Sequence, residues 1–351
     1  MILWGCQMRD PREVYIDGSI GEGGGQVLRT SLALACIIGK TVHIANIRAA
    51  RRNPGLAKQH LACVQAARQI CRGQCEGAKL ASKTLDFAPG PIRCGNYSFD
   101  VGSAGSASLV VQTILPALFL AGESSVVTIT GGTHNPWAPP FDFLSESFLP
   151  AIATAGFQAD CRMIKPGFFP AGGGKIVFEV EPWSENKGAV TDLCEPQTQP
   201  ELYARIYTAK LPARIAQRQR RLLRQSGLRF HNIEHVDVKD SAGPGNCVLI
   251  RICSAQRTTV FASFGMRGKP SEQVIAEVVN LAKDFLAGNA AVDRFLADQL
   301  LIYMAVSQAG CFTTNQVSGH LLTNIEVIKE FLPVDFSIDH QGQMYKICCN
   351  M

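Results

Sequence analysis

The chain contains 351 residues, of which 46% are hydrophobic and 18% are charged, and its formal net charge is +5. This composition is typical of a folded protein and argues against a disordered or fibrous one. No apolar run reaches the ~18 residues that a membrane span requires, and the N-terminal Met-Ile-Leu-Trp is too short for the apolar region of a signal peptide. The sequence therefore predicts a cytoplasmic protein without a membrane partner, and it leaves the oligomeric state open.

The thirteen cysteines are scattered along the chain, and no two of them have the spacing C-x-x-C. Zinc sites and disulfide frameworks have regular cysteine spacings, so neither is predicted. We expect reduced, buried thiols, because free cysteine packs as a small hydrophobic side chain.

Positive charge is concentrated in two segments that contain no acidic residue. Residues 48–60 carry Arg48, Arg51, Arg52 and Lys58, and residues 214–229 carry Arg214, Arg218, Arg220, Arg221, Arg224 and Arg229. Clustered basic side chains attract phosphate groups, so each segment could bind phosphate. The alternative is that it forms a helix face exposed to solvent. We favour the helix face for the second segment and phosphate binding for the first, which lies next to a glycine-rich turn.

In chain order, the first elements are a short strand at residues 14–17, a glycine-rich turn and a helix at residues 25–38. Gly39 is expected to end this helix, because glycine readily adopts the left-handed cap. A strand at residues 41–47 and a helix at residues 54–71 follow, and the proline that begins this helix loses no hydrogen bond there. Two further strands complete the unit near residue 87.

The same order of elements recurs twice. The second copy contains strand 97–101, the small-residue turn Gly102-Ser-Ala-Gly-Ser106, a helix ending at Gly122, strand 125–130, helix 140–155 and strands up to residue 180. The third contains helix 291–308 ending at Gly310, strand 311–315, helix 318–331 and strands 334–338 and 344–348. The interval between Gly122 and Gly310 is more than twice that between Gly39 and Gly122, so about 100 residues are inserted before the third copy.

The sequence therefore predicts an α/β (α+β) fold in which three repeated βαβαββ-type units form a large domain. This domain is expected at residues 1–183 and 279–351, with repeats at about 13–96, 97–182 and 279–350. A small α/β domain, residues 184–278, is expected before the helices of the third repeat. It opens with a polar, proline-bearing linker at residues 183–199 and contains the arginine-rich helix and strands 247–253 and 258–264.

The turn Gly21-Glu-Gly-Gly-Gly-Gln26 lies between the first strand and the first helix. Glycines let the backbone approach a ligand, and the free N–H groups at a helix start favour anions. The spacing matches neither the P-loop nor the dinucleotide-binding motif, so a tight turn without a ligand is the alternative.

Polar side chains follow this turn and the next strand. Arg29 lies one helical turn after Gln26, and Arg48, Arg51, Gln59 and His60 gather at the next junction of strand and helix. Arginines in such a position can bind a phosphate through bidentate hydrogen bonds. The carboxylate of Glu22 among these cations indicates either a divalent metal shared with phosphate oxygens or an ion pair with Arg29.

His320 lies in the first turn of a predicted helix that has Ser318 as its N-cap. The positive end of the helix dipole disfavours a protonated imidazole there, and a neutral imidazole is what a nucleophile attacking phosphorus must be. A histidine in this position is more often an ordinary polar residue, so its position alone does not assign the role.

These segments together resemble the RNA 3′-terminal phosphate cyclase family over nearly the whole chain. The matching residues are Asp17-Gly, Gly21-Glu-Gly-Gly-Gly-Gln-Val-Leu-Arg29, Ile47-Arg-Ala-Ala-Arg51, Pro54-Gly-Leu, Gln59-His60, Gly102-Ser-Ala-Gly-Ser with Gln112, Gly131-Gly-Thr, Ala138-Pro139, Pro170-Ala-Gly-Gly-Gly174, Phe295-Leu-Ala-Asp-Gln299 and His320-Leu-Leu-Thr-Asn. Two positions depart from the family pattern. Ala50 replaces a glycine, which costs about 1 kcal/mol if the position needs a positive φ, and Pro166 replaces a basic residue.

The resemblance implies an ATP-consuming ligase that acts on RNA with a 3′-terminal phosphate. His320 is expected to attack the α-phosphate of ATP, release pyrophosphate and become adenylylated. AMP then passes to the RNA 3′-phosphate, and the neighbouring 2′-hydroxyl expels AMP to leave a 2′,3′-cyclic phosphate.

The resemblance also implies the roles of the other site residues. Glu22 is expected to bind a divalent metal, magnesium or manganese. The RNA phosphate is expected to contact Arg29, Arg48, Arg51, Gln59 and His60. The nucleotide pocket is expected to comprise Gln112, Pro139, Phe295, Leu296, Ala297, Asp298 and Gln299, with adenine stacked between Phe295 and Pro139.

Two other classes of protein have the fold that the resemblance implies. Cyclase-like RNA-binding proteins of ribosome assembly are not catalytic, and enolpyruvyl transferases need no histidine nucleophile. His320 together with Arg29, Arg48 and Arg51 favours catalysis over the first, and a covalent AMP adduct would exclude the second.

Overall fold

The computed structural model describes residues 12–102, 104–183 and 192–350. Ser103 of the second small-residue turn and part of the expected linker lie outside the described residues. The fold is mixed α/β, as the sequence predicted. Among the described residues, no helix combines the length and the apolar character needed to span a membrane. The cytoplasmic location stays a prediction.

The first sheet has the strand order β1-β2-β4-β3, in which β1 is parallel to β2 and the other pairs are antiparallel. Its strands are β1 (Glu13–Asp17), β2 (Thr41–Ala45), β3 (Gln74–Glu76) and β4 (Leu85–Ala88), and its helices are α1 (Gly25–Ile38) and α2 (Lys58–Cys71). Alternate residues of β2, Val42 and Ile44, are buried in the core, as expected for a strand with one covered face. Gly39 ends α1 with a φ of 67°, which confirms the predicted helix end.

The second sheet has the corresponding order β5-β6-β8-β7. Its elements are β5 (Asn96–Asp100), α3 (Ala107–Leu118), β6 (Ser125–Gly131), a helix in three parts, β7 (Ala159–Lys165) and β8 (Gly174–Val180). The helix begins as α4 (Phe141–Phe143), continues through a π-helical turn (Leu144–Phe148) and ends as α5 (Leu149–Ala153). Such turns insert one extra residue per turn and frequently occur at functional sites.

A separate four-stranded sheet follows the short strand β9 (Asp192–Leu193). Its elements are β10 (Glu201–Ala209), α6 (Ala213–Arg224), β11 (Phe230–Val238), β12 (Gly245–Cys253), β13 (Thr258–Phe264) and α7 (Ser271–Gly288), and its strand order is β11-β10-β12-β13. Val248, Ile250 and Ile252 of β12 form a second core with buried residues of α6 and α7. Cys247 and Leu249, on the other face of β12, belong to the main core instead. The arginine-rich helix α6 therefore lies on the side of this sheet that faces away from the main body.

The helix α7 crosses the expected boundary between residues 278 and 279. Its buried residues Val274, Val278 and Ala282 all belong to the second core. The helix therefore packs with the inserted sheet along its whole length, and the chain returns to the main body only after Gly288.

The last sheet combines β9 with strands from the C-terminal part of the chain. These elements are α8 (Arg294–Ser307), β14 (Cys311–Thr314), α9 (Gly319–Phe331), β15 (Asp335–Gln341) and β16 (Met344–Asn350). The strand order is β9-β14-β16-β15, and β9 is parallel to β14. The sheet thus has the same order as the first two, with β10 to α7 placed between its first strand and its first helix.

A buried polar network joins the inserted sheet to the main body. Asp142 on α4 lies 2.9 Å from the Nε2 atom of His134, 2.8 Å from the guanidinium of Arg205 and 3.1 Å from the hydroxyl of Tyr207. Arg205 and Tyr207 both lie on β10. The network therefore joins the inserted sheet to the main body through a carboxylate that is only 3% exposed.

One pair of cysteines contradicts the expectation of reduced thiols throughout. Cys311 and Cys348 face each other in the antiparallel pair of β14 and β16, with Cα atoms 4.2 Å apart, and they are disulfide-bonded. The other described cysteines are free and are buried or partly buried. No pattern in the sequence indicated this pair, because its members are 37 residues apart and become neighbours only through strand pairing.

Candidate active site

The N-terminal ends of four helices, α1, α2, α3 and α9, lie close together, although these helices follow strands of three different sheets. The side-chain oxygen of Gln59 on α2 accepts a hydrogen bond from the backbone N–H of Ser106, the N-cap of α3, at 3.1 Å. The turn before α1 meets α9, where the backbone N–H of Glu22 lies 3.3 Å from the Thr323 hydroxyl. Helix starts expose N–H groups and the positive end of the helix dipole. Their convergence therefore creates a site suited to anions.

Two glycines permit this close approach of helices. A Cβ atom at Gly25 would lie 2.4 Å from Nε2 of His60, and a Cβ atom at Gly319 would lie 2.5 Å from the carboxylate of Glu22. Neither contact is sterically possible without movement, so a side chain at Gly25 would displace His60, and one at Gly319 would displace Glu22.

The imidazole of His320 contacts the carboxylate of Glu22. Nδ1 of His320 lies 2.8 Å from Oε2 of Glu22, and the hydroxyl of Ser318 caps the helix by accepting a hydrogen bond from Leu321 at 3.0 Å. Burial lowers the pKa of His320 below its ordinary value, and two nearby arginines add to the effect against the opposing charge of Glu22. A neutral ring that donates Nδ1–H to Glu22 keeps a free lone pair on Nε2.

The arginines occupy the same region with different partners. Arg51 lies 3.9 Å from the Glu22 carboxylate and donates to the Glu22 carbonyl at 3.3 Å, whereas Arg29 donates to the side chain of Gln26 at 2.7 Å. Glu22 therefore contacts His320 and Arg51 rather than Arg29, contrary to the simple ion pair considered above. Arg48 donates a hydrogen bond to the carbonyl of Gly55 at 2.8 Å, which fixes its side chain near His60.

Ala50 causes none of the strain considered for it. Its φ is not positive, whereas that of Arg48, two residues earlier, is 55°. The loop thus takes its left-handed conformation at Arg48, and alanine fits at position 50 without the penalty of a positive φ.

His60 is buried and neutral. Its Nδ1 atom accepts a hydrogen bond from the backbone N–H of Ala57 at 3.1 Å. Burial, followed by the charges of Arg29 and Arg48, lowers the pKa of His60 to about 3. Because Nδ1 is an acceptor, the ring proton resides on Nε2, which faces Gly25 at the start of α1. His60 therefore presents a neutral N–H donor to any anion bound there.

A cleft of about 560 Å³ lies beside His320, between the main body and the inserted sheet. This volume is in the range of small-molecule sites. Five residues of the expected nucleotide pocket line it, namely Gln112, Pro139, Phe295, Asp298 and Gln299. Phe295 is 39% exposed, and the guanidinium of Arg294 lies 4.7 Å from the centre of its ring.

Polar groups of the cleft are held by contacts between helices. Gln112 on α3 donates to Gln299 on α8, which in turn donates to the carbonyl of Phe295 at 2.9 Å. Burial raises the pKa of Asp298 to about 8, and the nearby carboxylates of Asp293 and Glu22 act in the same direction. The Asp298 carboxyl is therefore mostly protonated at neutral pH and can donate a hydrogen bond.

Two residues of the expected nucleotide pocket lie elsewhere. Leu296 and Ala297 are 3% and 0% exposed, pack in the main core and do not line the cleft. Their side chains therefore stabilise the core, and the expected contact of these two residues with a nucleotide stays a prediction.

The sequence did not identify several residues that line the cleft. Strand β13 of the inserted sheet contributes Val260, Ala262 and Phe264, and the loop after it contributes Met266. The loop before α4 contributes Trp137, which is 84% exposed. The pattern of β13 shows a strand but does not show which face meets the main body. No signal in the sequence distinguishes an exposed tryptophan from a buried one.

The second arginine-rich segment lies outside this site. Arg218 forms an ion pair with Glu272 at 2.6 Å, and Arg220 donates to the carbonyl of Ile233 at 2.6 Å. Both contacts lie within the inserted unit, on the face of its sheet that is turned away from the main body. These contacts favour the interpretation of α6 as a solvated helix face.

Comparisons with known proteins agree on one family. The family model described as RNA 3′-terminal phosphate cyclase matches residues 20–338. The RNA 3′-terminal phosphate cyclase of Salmonella agona is 42% identical over 336 residues, which cover 96% of this chain and 97% of that protein. The protein of the same name from Ralstonia nicotianae is 43% identical over 93% of each chain. That from Koribacter versatilis is 42% identical over 97% of this chain and 96% of its own.

Proposed function

This chain belongs to the RNA 3′-terminal phosphate cyclase family of enzymes, and we propose that it converts an RNA 3′-terminal phosphate to a 2′,3′-cyclic phosphate with ATP as co-substrate. The observation that carries the proposal is the contact of His320 with Glu22 at the start of α9. This contact holds a neutral imidazole near Arg29 and Arg51 and beside the nucleotide-sized cleft.

In the first step, Nε2 of His320 attacks the α-phosphorus of ATP and pyrophosphate leaves. Glu22 accepts the Nδ1–H of the ring at 2.8 Å, which fixes the ring orientation and leaves the Nε2 lone pair for attack. The carboxylate also stabilises the positive charge that the ring acquires when the nitrogen–phosphorus bond forms. The lowered pKa of His320 keeps the attacking ring neutral beforehand.

The adenine is proposed to stack between Phe295 and Pro139, which both line the cleft. Gln112 and Gln299, already hydrogen-bonded to each other, provide amide groups for the base. The protonated carboxyl of Asp298 provides a donor for the sugar or the base. Val260 and Phe264 of the inserted sheet supply the apolar wall that excludes water.

Glu22 is also suited to a divalent metal, magnesium or manganese. Its carboxylate is 42% exposed and faces the helix starts. Among the described residues, no three metal-ligating side chains gather, but magnesium in phosphate-transfer sites needs only one or two carboxylates besides substrate phosphates. When bound, the ion would neutralise charge on the phosphates.

In the second step, AMP passes from His320 to a terminal oxygen of the RNA 3′-phosphate and the imidazole is regenerated. In the third, the 2′-hydroxyl attacks the activated phosphorus, loses its proton and expels AMP. Arg29, Arg48, Arg51, Gln59 and His60 are proposed to hold the RNA phosphate during both steps. The helix starts of α1 and α2 add backbone donors that favour the same charge.

We also propose a domain organisation that follows the strand orders. Each of the three similar sheets, with its two helical segments, is one repeat of the large domain. The smaller domain extends from β10 to the end of α7. Its end is thus moved from the expected residue 278 to about residue 288.

The proposed reaction is tested with RNA that carries a labelled 3′-phosphate. In the presence of ATP and magnesium, the label is expected to become resistant to phosphatase, because a cyclic diester has no terminal monoester. AMP and pyrophosphate should form in equal amounts. RNA binding without either change would instead support the non-catalytic, cyclase-like function.

Replacing His60 by alanine is expected to separate the first step from the second. The loss of one N–H donor to a doubly charged phosphate should slow AMP transfer to RNA about 10- to 100-fold. Formation of the adenylylated enzyme should change much less, since His60 is assigned to the RNA phosphate. Radiolabelled adenylate on the enzyme, followed before and after addition of RNA, measures both rates, and equal losses in the two steps would contradict the assignment.

A further inference from the structure

A second loop packs directly against the segment that carries the phosphate-binding arginines. The backbone N–H of Ile47 donates to the carbonyl of Lys83 at 3.0 Å, and that of Leu56 donates to the carbonyl of Ser82 at 2.9 Å. Residues 46–58 and the loop at residues 77–84 therefore form one continuous surface.

This surface is strongly basic. The two segments contain six cationic side chains and no acidic one. Five of these side chains are exposed, namely Arg51, Arg52, Lys58, Lys79 and Lys83. Within the described parts of the chain, neither Lys79 nor Lys83 has a carboxylate at ion-pair distance, whereas Arg51 reaches Glu22 at 3.9 Å. The positive charge of the loop is thus not neutralised internally.

The loop is held in an unusual backbone conformation. Ala81 has a φ of 60°, which residues with a side chain rarely adopt, and its N–H donates to the carbonyl of Leu56 at 2.8 Å. Gly55 permits this packing, since a Cβ atom there would lie 2.4 Å from the Ala81 carbonyl oxygen. The neighbouring Leu80 is 56% exposed and lies between Lys79 and Lys83 in the chain. Such conformations persist where the surrounding structure fixes them, often at sites of function.

The position of this surface distinguishes it from the nucleotide site. No residue of either segment lines the cleft beside His320, yet the surface is continuous with Arg48 and Arg51. A polyanion whose end lies at those arginines therefore meets the basic loop without entering the cleft.

We propose that Arg52, Lys58, Lys79 and Lys83 bind the backbone phosphates of the RNA strand upstream of its last two nucleotides. Leu80 offers an apolar contact to a base or ribose between the lysines. The inference rests on the proposed function, because that function places the terminal phosphate at Arg29, Arg48 and Arg51. The charge and the continuity of the surface favour a single RNA strand as its occupant.

The test compares a long and a short RNA, since only the long one reaches the loop. Binding without ATP is measured for single-stranded RNA of about twelve nucleotides and for a dinucleotide, each with a 3′-phosphate. In the Lys79→Gln/Lys83→Gln variant, the longer RNA is expected to bind about tenfold more weakly at moderate salt. The slope of log K against log salt should fall by about 1.4, because each phosphate contact to a single strand contributes ~0.7. The affinity for the dinucleotide should not change.

The matched control is Lys40→Gln/Lys329→Gln, which removes the same charge. Lys40 follows the C-terminal end of α1, and Lys329 lies in the last turn of α9. Because both helices begin at the site, these lysines lie at the far ends, roughly 15–20 Å away. Wild-type affinity and an unchanged salt slope are expected for this variant.

Any one of three results would overturn the proposed RNA path. The first is an unchanged salt slope in the Lys79/Lys83 variant, and the second is an equal loss of affinity for the long RNA and the dinucleotide. The third is an equal loss of affinity in the control variant. Labelling of His320 by ATP is measured on the wild-type protein without RNA. Absence of that label refutes the proposed function, whatever the binding data show, so the two failures are distinguishable.

Discussion

Replacing His320 by alanine is expected to lower the rate of cyclisation by about 10⁴-fold or more, because no covalent adenylate can form without the nucleophile. The fold should be unaffected, since the side chain of His320 is 46% exposed and its contact is with Glu22 at the surface of the site. The capping bond from Ser318 to Leu321 does not involve the imidazole. The rate is measured as the appearance of phosphatase-resistant RNA ends.

The matched control is His231→Ala. His231 is exposed on β11, the edge strand of the inserted sheet farthest from β13 and therefore from the cleft. Wild-type activity is expected from this variant. Substantial activity in His320→Ala, with its fold intact by circular dichroism, would assign the nucleophile to a different residue.

Replacing Asp142 by alanine is expected to cost about 3–5 kcal/mol of unfolding free energy. The substitution leaves the buried side chains of His134 and Tyr207 without their shared acceptor and removes one of the carboxylates that contact the partly buried Arg205. The unsatisfied donors of His134 and Tyr207 are the largest part of the penalty, because each buried polar group without a partner costs about 1–3 kcal/mol, whereas Arg205 keeps its ion pairs with Glu234 and Glu146. Urea denaturation measures the change.

The exposed Asp339→Ala on β15 is the control, with an expected change within about 0.5 kcal/mol. An equally small change in Asp142→Ala would show that the buried network contributes little. The nucleotide affinity provides a second readout, because Asp142 joins α4 to the inserted sheet that forms one wall of the cleft. A raised KM for ATP is therefore expected in Asp142→Ala.

The same carboxylate predicts a dependence of stability on pH. Burial alone would raise the pKa of Asp142, but the hydrogen bond from His134 and the charges of His134 and Arg205 outweigh it, so the pKa is lowered. A depressed pKa in the folded state contributes stability that is present above the unfolded value of about 3.9 and is lost as the pH falls through the folded value. Wild-type protein should therefore lose more unfolding free energy below about pH 4 than Asp142→Asn does.

Local features of the fold were predictable from the sequence. Helix α1 has the predicted limits because a glycine turn precedes it and Gly39 can adopt the left-handed cap. Ser318 caps α9 as predicted because its hydroxyl reaches a backbone N–H three residues later. These features depend on neighbouring residues alone, so the sequence contains the needed information.

Features that depend on distant packing were not predictable. Residues 245–250 of β12 are all buried, so no alternation reveals that one face meets α6 and α7 while the other meets the main body. The amphipathic pattern of α7 likewise predicts a helix but not the core against which it packs. The proposed end of the smaller domain differs from the expected boundary at residue 278 for this reason.

The candidate site shows the same division. Glycine turns and clustered arginines indicated an anion site from local sequence, and the resemblance supplied the roles of Glu22 and His320. Their contact joins residues about 300 positions apart, which no local pattern could reveal. The apolar wall formed by β13 was missed because it comes from the inserted sheet, for which no motif was recognised.

The covalent intermediate is the central claim, and peptide mass spectrometry tests it most directly. The protein is incubated with ATP and magnesium without RNA, digested under conditions that preserve acid-labile phosphoramidates, and searched for a peptide that carries AMP. We predict a single adduct on His320, which disappears when RNA with a 3′-phosphate is added. An adduct on another residue, or cyclisation by an enzyme that never carries AMP, would contradict the account.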